Sequence, residues 1–443
     1  MLMFGLGAAV VAAHEAYYLC GVWTALSLNF VIAAINGYCV CTLVWTAQKL
    51  YGRLHMPTLS YPDIAEAAIV LAPWPKLRKT ARCVRYTVEG TLMFHLYGNC
   101  WVITVMICRN LKQLVEGSAR ITEEGNPPLR VYIISLMLPC AIVVMITDLK
   151  NLAPFALIAD LYAGGLTFLT LYYGFKYNER DPLKLPGYKT TMGLFEFIGV
   201  CVFTMESASV AVSIENNMDE PHKFHYVVLG TAPTVTLSMS IIGFCGYWLY
   251  GRFAIAPITV HFPFNAFPIT LKVFLCLVLY VIYAVCFYVA FDIEWFYLKR
   301  NHQIGNYWFW ERLYRTLHVI VITFIAYALP YVTRVMGVIG SVATCPAIFI
   351  YPTILGLIVD WEHPGPGRFY WRVIRSAAIV CFGISILTAG TYYNMVDLLR
   401  IVAVTSFSME QASKDANETL GYLVGKKKFL NMTNLSNVTL SGF

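Results

Sequence analysis

The chain has 443 residues, of which 58% are apolar and 13% charged, with a mean hydropathy of +0.62 and a formal net charge of +7. A soluble domain is about 45–50% apolar and about 25% charged, so an ordinary soluble fold is excluded and a multi-pass membrane protein is specified. The basic residues lie in loops between apolar runs, which excludes a nucleic-acid surface and reads as orientation signals and contacts to bilayer headgroups.

A helix needs about 20 apolar residues to cross a bilayer. Eleven runs qualify: 1–20, 22–47, 90–113, 129–147, 153–175, 192–214, 225–250, 268–296, 309–329, 335–358 and 371–398. The expected fold class is therefore an all-α polytopic membrane protein of about eleven helices. Residues 1–20 lack a basic start and run into a second span, so no cleavable signal peptide is expected. The 13 cysteines fall mostly within spans and form no CxxC pair, so neither a disulfide framework nor a metal site is expected.

The loop 48–89 holds Lys49, Arg53, Lys76, Arg78, Lys79, Arg82 and Arg85. As the densest basic loop it is placed in the cytoplasm. Alternation then puts the N-terminus inside and the tail 399–443 outside. That tail carries sequons at Asn417, Asn431, Asn434 and Asn437, which are usable only on the extracytoplasmic side. A chance cluster in an Asn/Ser/Thr-rich tail is the competing reading.

Chemistry concentrates in the sixth run, at Phe203-Thr204-Met205-Glu206-Ser207-Ala208-Ser209. An ionisable residue near the bilayer midplane costs roughly 3 kcal/mol on insertion scales and persists where it lines a cavity, pairs or carries a proton. Small residues after it let a helix open and let backbone approach a ligand. The bland alternative is a structural carboxyl hydrogen-bonded to a neighbouring helix. The first run has its own small residues, Gly5, Gly7, Ala8 and Ala9. A five-plus-five inverted repeat would pair these two runs, with repeats 1–175 and 192–358 and an eleventh helix at 371–398. Small residues at helix contacts would look the same. His14 and Glu15 lie deeper in the first run, where packing or interfacial duty is expected. No Walker loop, HExxH or GxSxG occurs, so no enzyme activity is expected.

Collinear stretches carry a family resemblance over roughly residues 5–375. They are Ser60-Tyr61-Pro62-Asp63-Ile64-Ala65-Glu66-Ala67-Ala68, Asn110-Leu111-Lys112-Gln113, and Leu149-Lys150-Asn151-Leu152-Ala153-Pro154-Phe155. Phe203 to Glu206 with Ile214-Glu215-Asn216-Asn217-Met218, Phe287-Tyr288-Val289 with Asp292, and Gly340-Ser341 with Tyr351-Pro352 complete the series. Together they resemble the proton-assisted amino acid transporters of the amino acid/auxin permease group, within the amino acid–polyamine–organocation superfamily.

The resemblance implies a leucine-transporter-like inverted-repeat fold and alternating-access transport of small neutral amino acids with a proton. It implies that the substrate carboxylate rests on backbone at Gly7, Ala8 and Ala9. The amine would lie near Phe203, Ser207 and Ser209 with Glu206 in reach as the proton-coupling group, and Gly98, Asn99 and Tyr288 would face the site. The implied partners are a small neutral amino acid, a proton and the lipid bilayer, with no cofactor and no nucleic acid; no oligomeric state is implied. Plasma and lysosomal or vacuolar membranes both suit the glycosylatable tail. Ser207-Ala208-Ser209 stands where the family tends to carry Gly-Ile-Gly, and Ala8-Ala9 fills part of its Gly-Thr-Gly. A histidine preceding that motif in mammalian members would lie before Met1. These departures leave open an alternative, a non-transporting amino acid sensor on the same fold.

Overall fold

The computed structural model describes residues 9–117, 127–145, 153–177, 181–263, 265–302, 304–361, 365 and 367–404, and among these there is no strand. Gly7 and Ala8 of the expected site, and all four sequons, lie outside the described residues. Among the described residues seven helices are long and apolar enough to cross a membrane: Val22–Leu54, Ala81–Glu116, Thr191–Glu215, Pro221–Phe253, Ala266–Asn301, Val332–Val359 and Trp371–Val404. The chain divides into two units, Met1–Asn394 and Met395–Phe443. Of the second, residues 395–404 are described and are helical.

In the first unit a short 3-10 turn, Val10–Ala12, leads into α1 (Ala13–Cys20). Gly21, at φ +106°, turns the chain into α2 (Val22–Leu54); a Cβ there would also meet Gly187 O at 2.7 Å, so glycine is needed twice over. Ser60 and Asp63 form a reciprocal capping box, with Pro62 in the first turn, and this starts α3 (Tyr61–Val70) in the basic loop. Then comes α4 (Ala81–Glu116).

The run 129–147 was expected to be one span, but it is broken into α5 (Leu129–Ser135) and α6 (Met137–Val143). Pro139 lacks the N–H that would bond Ser135 O and crowds that carbonyl, so the ladder loses a bond there. Leu136 N–H still reaches Tyr132 O and Cys140 N–H reaches Leu136 O, and Leu129–Val143 continues as one apolar stretch. Next are α7 (Ala153–Tyr177), α8 (Thr191–Thr204) and α9 (Ala208–Glu215), the last two separated by a non-helical step at residues 205–207. They are followed by α10 (Phe224–Tyr250), α11 (Ala266–Leu298) and α12 (Tyr307–Ala328). The first half of α12 carries Glu311, Arg312 and Arg315.

The tenth expected span is α13 (Val332–Ile339), two π turns (Gly340–Thr344 and Pro346–Ile350) and α14 (Tyr351–Val359). Pro346 and Pro352 offer no N–H to Val342 and Ile348, and the ladder widens instead, with Cys345 N–H reaching Gly340 O. α15 (Trp371–Ser385) follows.

Packing brings these pieces around the sixth span. α8 lies against α1 and α13, and α4 lies along α11. Where α8 meets the tenth span the backbones nearly touch: a Cβ on Gly340 would sit 1.9 Å from Gly199 O, and one on Gly199 would sit 2.5 Å from Gly337 O. Asn394 Nδ2 donates to Gly337 O and to Ser341 Oγ, which closes the same seam. Small residues allow this approach, as is usual for helices packed within a bilayer.

Candidate functional site

The break between α8 and α9 exposes backbone groups that a continuous helix would satisfy. Asn36 on α2 meets part of that demand, its Nδ2 donating to Met205 O at 2.8 Å. Glu206 meets more. Its Oε1 accepts the Ser209 N–H at 2.8 Å and its Oε2 accepts the Ser209 hydroxyl at 2.6 Å. The carboxyl therefore sits at the N-terminal end of α9, where orphan N–H groups and the helix dipole favour negative charge. It is only 5% exposed.

His95 on α4 reaches the same carboxyl: its Nε2 lies 3.6 Å from Glu206 Oε2, and its Nδ1 lies 2.8 Å from Thr344 Oγ1. The Phe203 ring stands 5.1 Å from the imidazole, and Asn99 Nδ2 donates to Cys286 Sγ at 3.3 Å nearby. Asn99 Oδ1 and Asn36 Oδ1 are buried without a partner among the described residues, so two acceptors stand ready beside the break.

A large vestibule leads to this point. Its volume is about 1060 Å³, and its walls come from the start of α3, from α4, from α9 and from α11. Ser209 lies on its lining, as do Tyr61, Tyr288 and Asp292. Near the mouth Arg85 is surrounded by acids: Asp63 at 3.1 Å, Glu66 at 2.8 Å and Glu89 at 3.0 Å. Tyr297 OH adds one proton shared between the two oxygens of Glu89. The lining thus holds one arginine against the carboxylates of Asp63, Glu89 and Asp292, a negative balance that favours cationic groups entering it. A smaller cavity of about 30 Å³ lies on the other side of the break, against Asn36, Met205, Glu206 and Ser207.

The other end of the bundle is shut. Arg334 on α13 bonds Glu15 on α1 and lies 3.2 Å from Glu196 on α8. Glu15 also accepts Ala256 N–H at 2.9 Å. Ala256 belongs to the segment between α10 and α11, in which Ile258, Thr259, Val260 and Phe262 are fully buried. This lid is clamped from α4. Arg109 donates to Ala256 O and Pro330 O, Gln113 donates to Val260 O, and Asn110 Oδ1 accepts from Thr259 Oγ1.

A family model described as transmembrane amino acid transporter protein matches residues 6–396. The chain belongs to the transmembrane amino acid transporter family. It is 28% identical over 412 residues to the proton-coupled amino acid transporter-like protein pathetic of Drosophila melanogaster, covering 90% of this chain and 84% of that one. It is 25% identical over 392 residues to the probable amino acid transporter skat-1 of Caenorhabditis elegans, covering 86% and 84%. The vesicular GABA transporter of the same nematode is 22% identical over 219 residues, 46% of this chain and 43% of its own. An amino acid transporter, not an enzyme, is what this family membership supports, and the sensor alternative gains no support from these relatives.

Within this transporter the expected site residues are distributed as follows. Glu206, Ser209 and Phe203 come together around His95, and Ser207 lines the small cavity. Asn99 is close by through Cys286, and Tyr288 faces the vestibule. Ala9 is buried, its carbonyl accepting Ala12 N–H. Gly98 packs on Ile339, whose Cδ1 would lie 2.5 Å from an added Cβ. His14 lies apart from this group, its Nε2 3.1 Å from Ile255 O in the lid.

Sequence reasoning passed over His95. Its signal was available: it is a histidine inside a long apolar run, three and four residues before Gly98 and Asn99, and so on the same helical face. The family stretches also acquire physical roles. Asn110 and Gln113 clamp the lid, Ser60 and Asp63 cap α3, and Tyr61 OH donates to Ala347 O on the tenth span. Glu215 and Asn216 tie the far end of α9 to Gln48, Tyr51 and Leu59.

Proposed function

We propose that this transporter moves small neutral amino acids together with a proton by alternating access, with Glu206 as the coupling group. The observation that carries the reading is the placement of Glu206. It is an ionisable side chain buried at a break in a membrane helix, and its partner Ser209 lines a vestibule about 1060 Å³ in volume. A zwitterion entering there meets carboxylates for its ammonium group. Freed backbone N–H groups at a broken helix suit its carboxylate. The expected carboxylate cradle is Gly7, Ala8 and Ala9 on the first span, with Asn99 and Tyr288 completing the pocket.

The five-plus-five repeat, with 1–175 and 192–358 as its halves and the helix at 371–398 outside it, is part of this reading. Its support is the 3-10 entry at Val10–Ala12 in the first span and the break at 205–207 in the sixth. In this reading the vestibule mouth is cytoplasmic and the Glu15–Arg334–Glu196 closure lies on the other side, which the density of basic residues in the loop 48–89 supports. In this orientation the N-terminus is cytoplasmic. The tail is extracytoplasmic, with Asn417, Asn431, Asn434 and Asn437 open to glycosylation in a plasma, lysosomal or vacuolar membrane. A mobility shift on glycosidase treatment, lost when all four asparagines are changed to glutamine, tests that side of the reading.

The transport reading is tested by uptake of labelled alanine, glycine or proline under an imposed proton gradient. Wild type should accumulate substrate, and Glu206→Gln should lose gradient-driven accumulation by about tenfold or more. Normal accumulation by the variant removes Glu206 as the coupling group. No uptake by wild type at verified surface expression removes these substrates.

A further inference from the structure

The hydrogen-bond directions around His95 place a constraint on where protons can sit. Thr344 Oγ1 lies 2.8 Å from His95 Nδ1 and 3.4 Å from Ile339 O. When Thr344 donates to Ile339 O it accepts from Nδ1, and the other nitrogen, Nε2, faces Glu206 Oε2 at 3.6 Å. In that tautomer a bare lone pair would oppose an ionised carboxylate in a buried setting, so the pair holds a proton, either on the imidazole beside a carboxylate or on the carboxyl beside a neutral imidazole.

His95 is the only basic side chain within ion-pair distance of Glu206 among the described residues. The titratable neighbours on the surrounding helices are Tyr61 on α3, with Tyr351 on α14 and Cys39 on α2 behind it, and Cys286 on α11. All four are neutral when protonated, so none supplies a second cation. On the open side, Ser209 Oγ both donates to Glu206 Oε2 at 2.6 Å and lines the vestibule. A hydroxyl placed this way can pass its own proton inward while accepting one from vestibule water.

We propose that Ser209, Glu206 and His95 form a proton relay, in which Ser209 connects the vestibule to a single proton shared by Glu206 and His95, and the position of that proton governs the Glu206 cap on α9. This rests on the proton-coupled reading and adds residues to it. In the inward step the Ser209 hydroxyl proton moves to Glu206 Oε2, Ser209 regains one from a hydronium in the vestibule, and that hydronium becomes water. The step starts from an ionised Glu206 beside a charged His95 and leaves Glu206 neutral with the pair holding two protons; the pair returns to one when Glu206 Oε2 passes a proton back through Ser209 to vestibule water. A neutral carboxyl is a weaker acceptor for Ser209 N–H and O–H than a carboxylate, so the N-terminal tether of α9 loosens when the pair fills.

The experiment uses the purified full-length chain in proteoliposomes. In pH-difference infrared spectra, the protonated-carboxyl band that disappears in Glu206→Gln reports the shared proton without requiring transport. His95→Gln retains an amide N–H for Thr344 but cannot titrate, and it should shift the midpoint of that band by about one pH unit or more. An unmoved midpoint overturns the relay. The amide bands of the same spectra report whether each variant is folded.

Alanine-driven proton entry, followed with a trapped pH dye, tests the outer member. Ser209→Ala should slow it by about tenfold, while Ser209→Thr, which keeps a hydroxyl, should restore most of the rate. Ser209→Ala at the wild-type rate overturns the relay. If wild type exchanges alanine without moving protons, the coupled reading fails as well. If wild type couples normally while His95→Gln leaves the midpoint unmoved, only the relay fails.

Discussion

The two ends of the first unit use the same chemistry to different effect. At the closed end one arginine, Arg334, is shared by Glu15 and Glu196, both buried, while the arginine itself is partly exposed. At the vestibule end one arginine, Arg85, is shared by Asp63, Glu66 and Glu89, but the cluster borders a large cavity. Both are arginine hubs. At the closed end the arginine joins α1, α8 and α13, with Glu15 bonded on to the lid; at the open end it joins α3 to α4, which are neighbours in the chain, with Glu89 bonded to Tyr297 on α11. An ion pair that bridges distant elements through buried carboxylates controls whether they separate. One that faces water decorates a wall and is screened.

The largest contrast should come from Arg334→Ala. It leaves Glu15 and Glu196 without their cation, and breaking a buried pair in this way costs about 3–5 kcal/mol. A sharp fall in the melting temperature of the detergent-purified protein is expected, with partial recovery when Glu15→Gln and Glu196→Gln are added. A melt matching wild type would show that the closed end is not held by charge.

The lid offers an intermediate effect with a defined pH window. His261 Nε2 lies 3.0 Å from Ile255 N and 3.1 Å from Ile255 O within the lid. Burial pushes its pKa down from the ordinary 6.5 to about 4. A depressed histidine stabilises the folded lid while it stays neutral. That contribution is complete above about pH 6.5 and is lost as the pH falls toward 4, amounting to about 3 kcal/mol at most. Thr259→Cys, fully buried at neutral pH, should become reactive to an impermeant maleimide as the pH drops through this window. His261→Gln should flatten that response, and an unchanged response in the variant would assign the acid sensitivity elsewhere.

The smallest effect belongs to Arg85→Ala. Its partners border water, so a loss of about 1 kcal/mol is expected. A melt shift as large as that of Arg334→Ala would erase the distinction between the two ends.

Much of this architecture was legible in the chain. Span lengths follow from apolar runs, and Glu206 announces itself as a charge where charge is costly. The break at 205–207 was foreshadowed by small residues after an acid. Other features depend on partners far away in sequence. His95 gains meaning only when α4 packs against the sixth span, and the proximity of Gly199 to Gly340 is a property of two helices together. The division of 129–147 at Leu136 was readable from Pro139, yet an apolar count alone hides it. The roles of Asn110 and Gln113 required the lid, whose path no periodicity reports.

The short length of α9 sets a mechanical scale. Eight residues span about 12 Å, with Glu206 and the 205–207 step at one end and Glu215 at the other. Treated as a rigid lever pivoting at that step, a tilt of about 20° barely moves the near end but carries the far end through about 4 Å. That end grips Gln48, Tyr51 and, through Asn216, Leu59. A small shift at one carboxyl is thereby geared up to the width of a side chain at the far end, while the Gly199–Gly340 seam holds in place the α8 helix to which the lever is hinged.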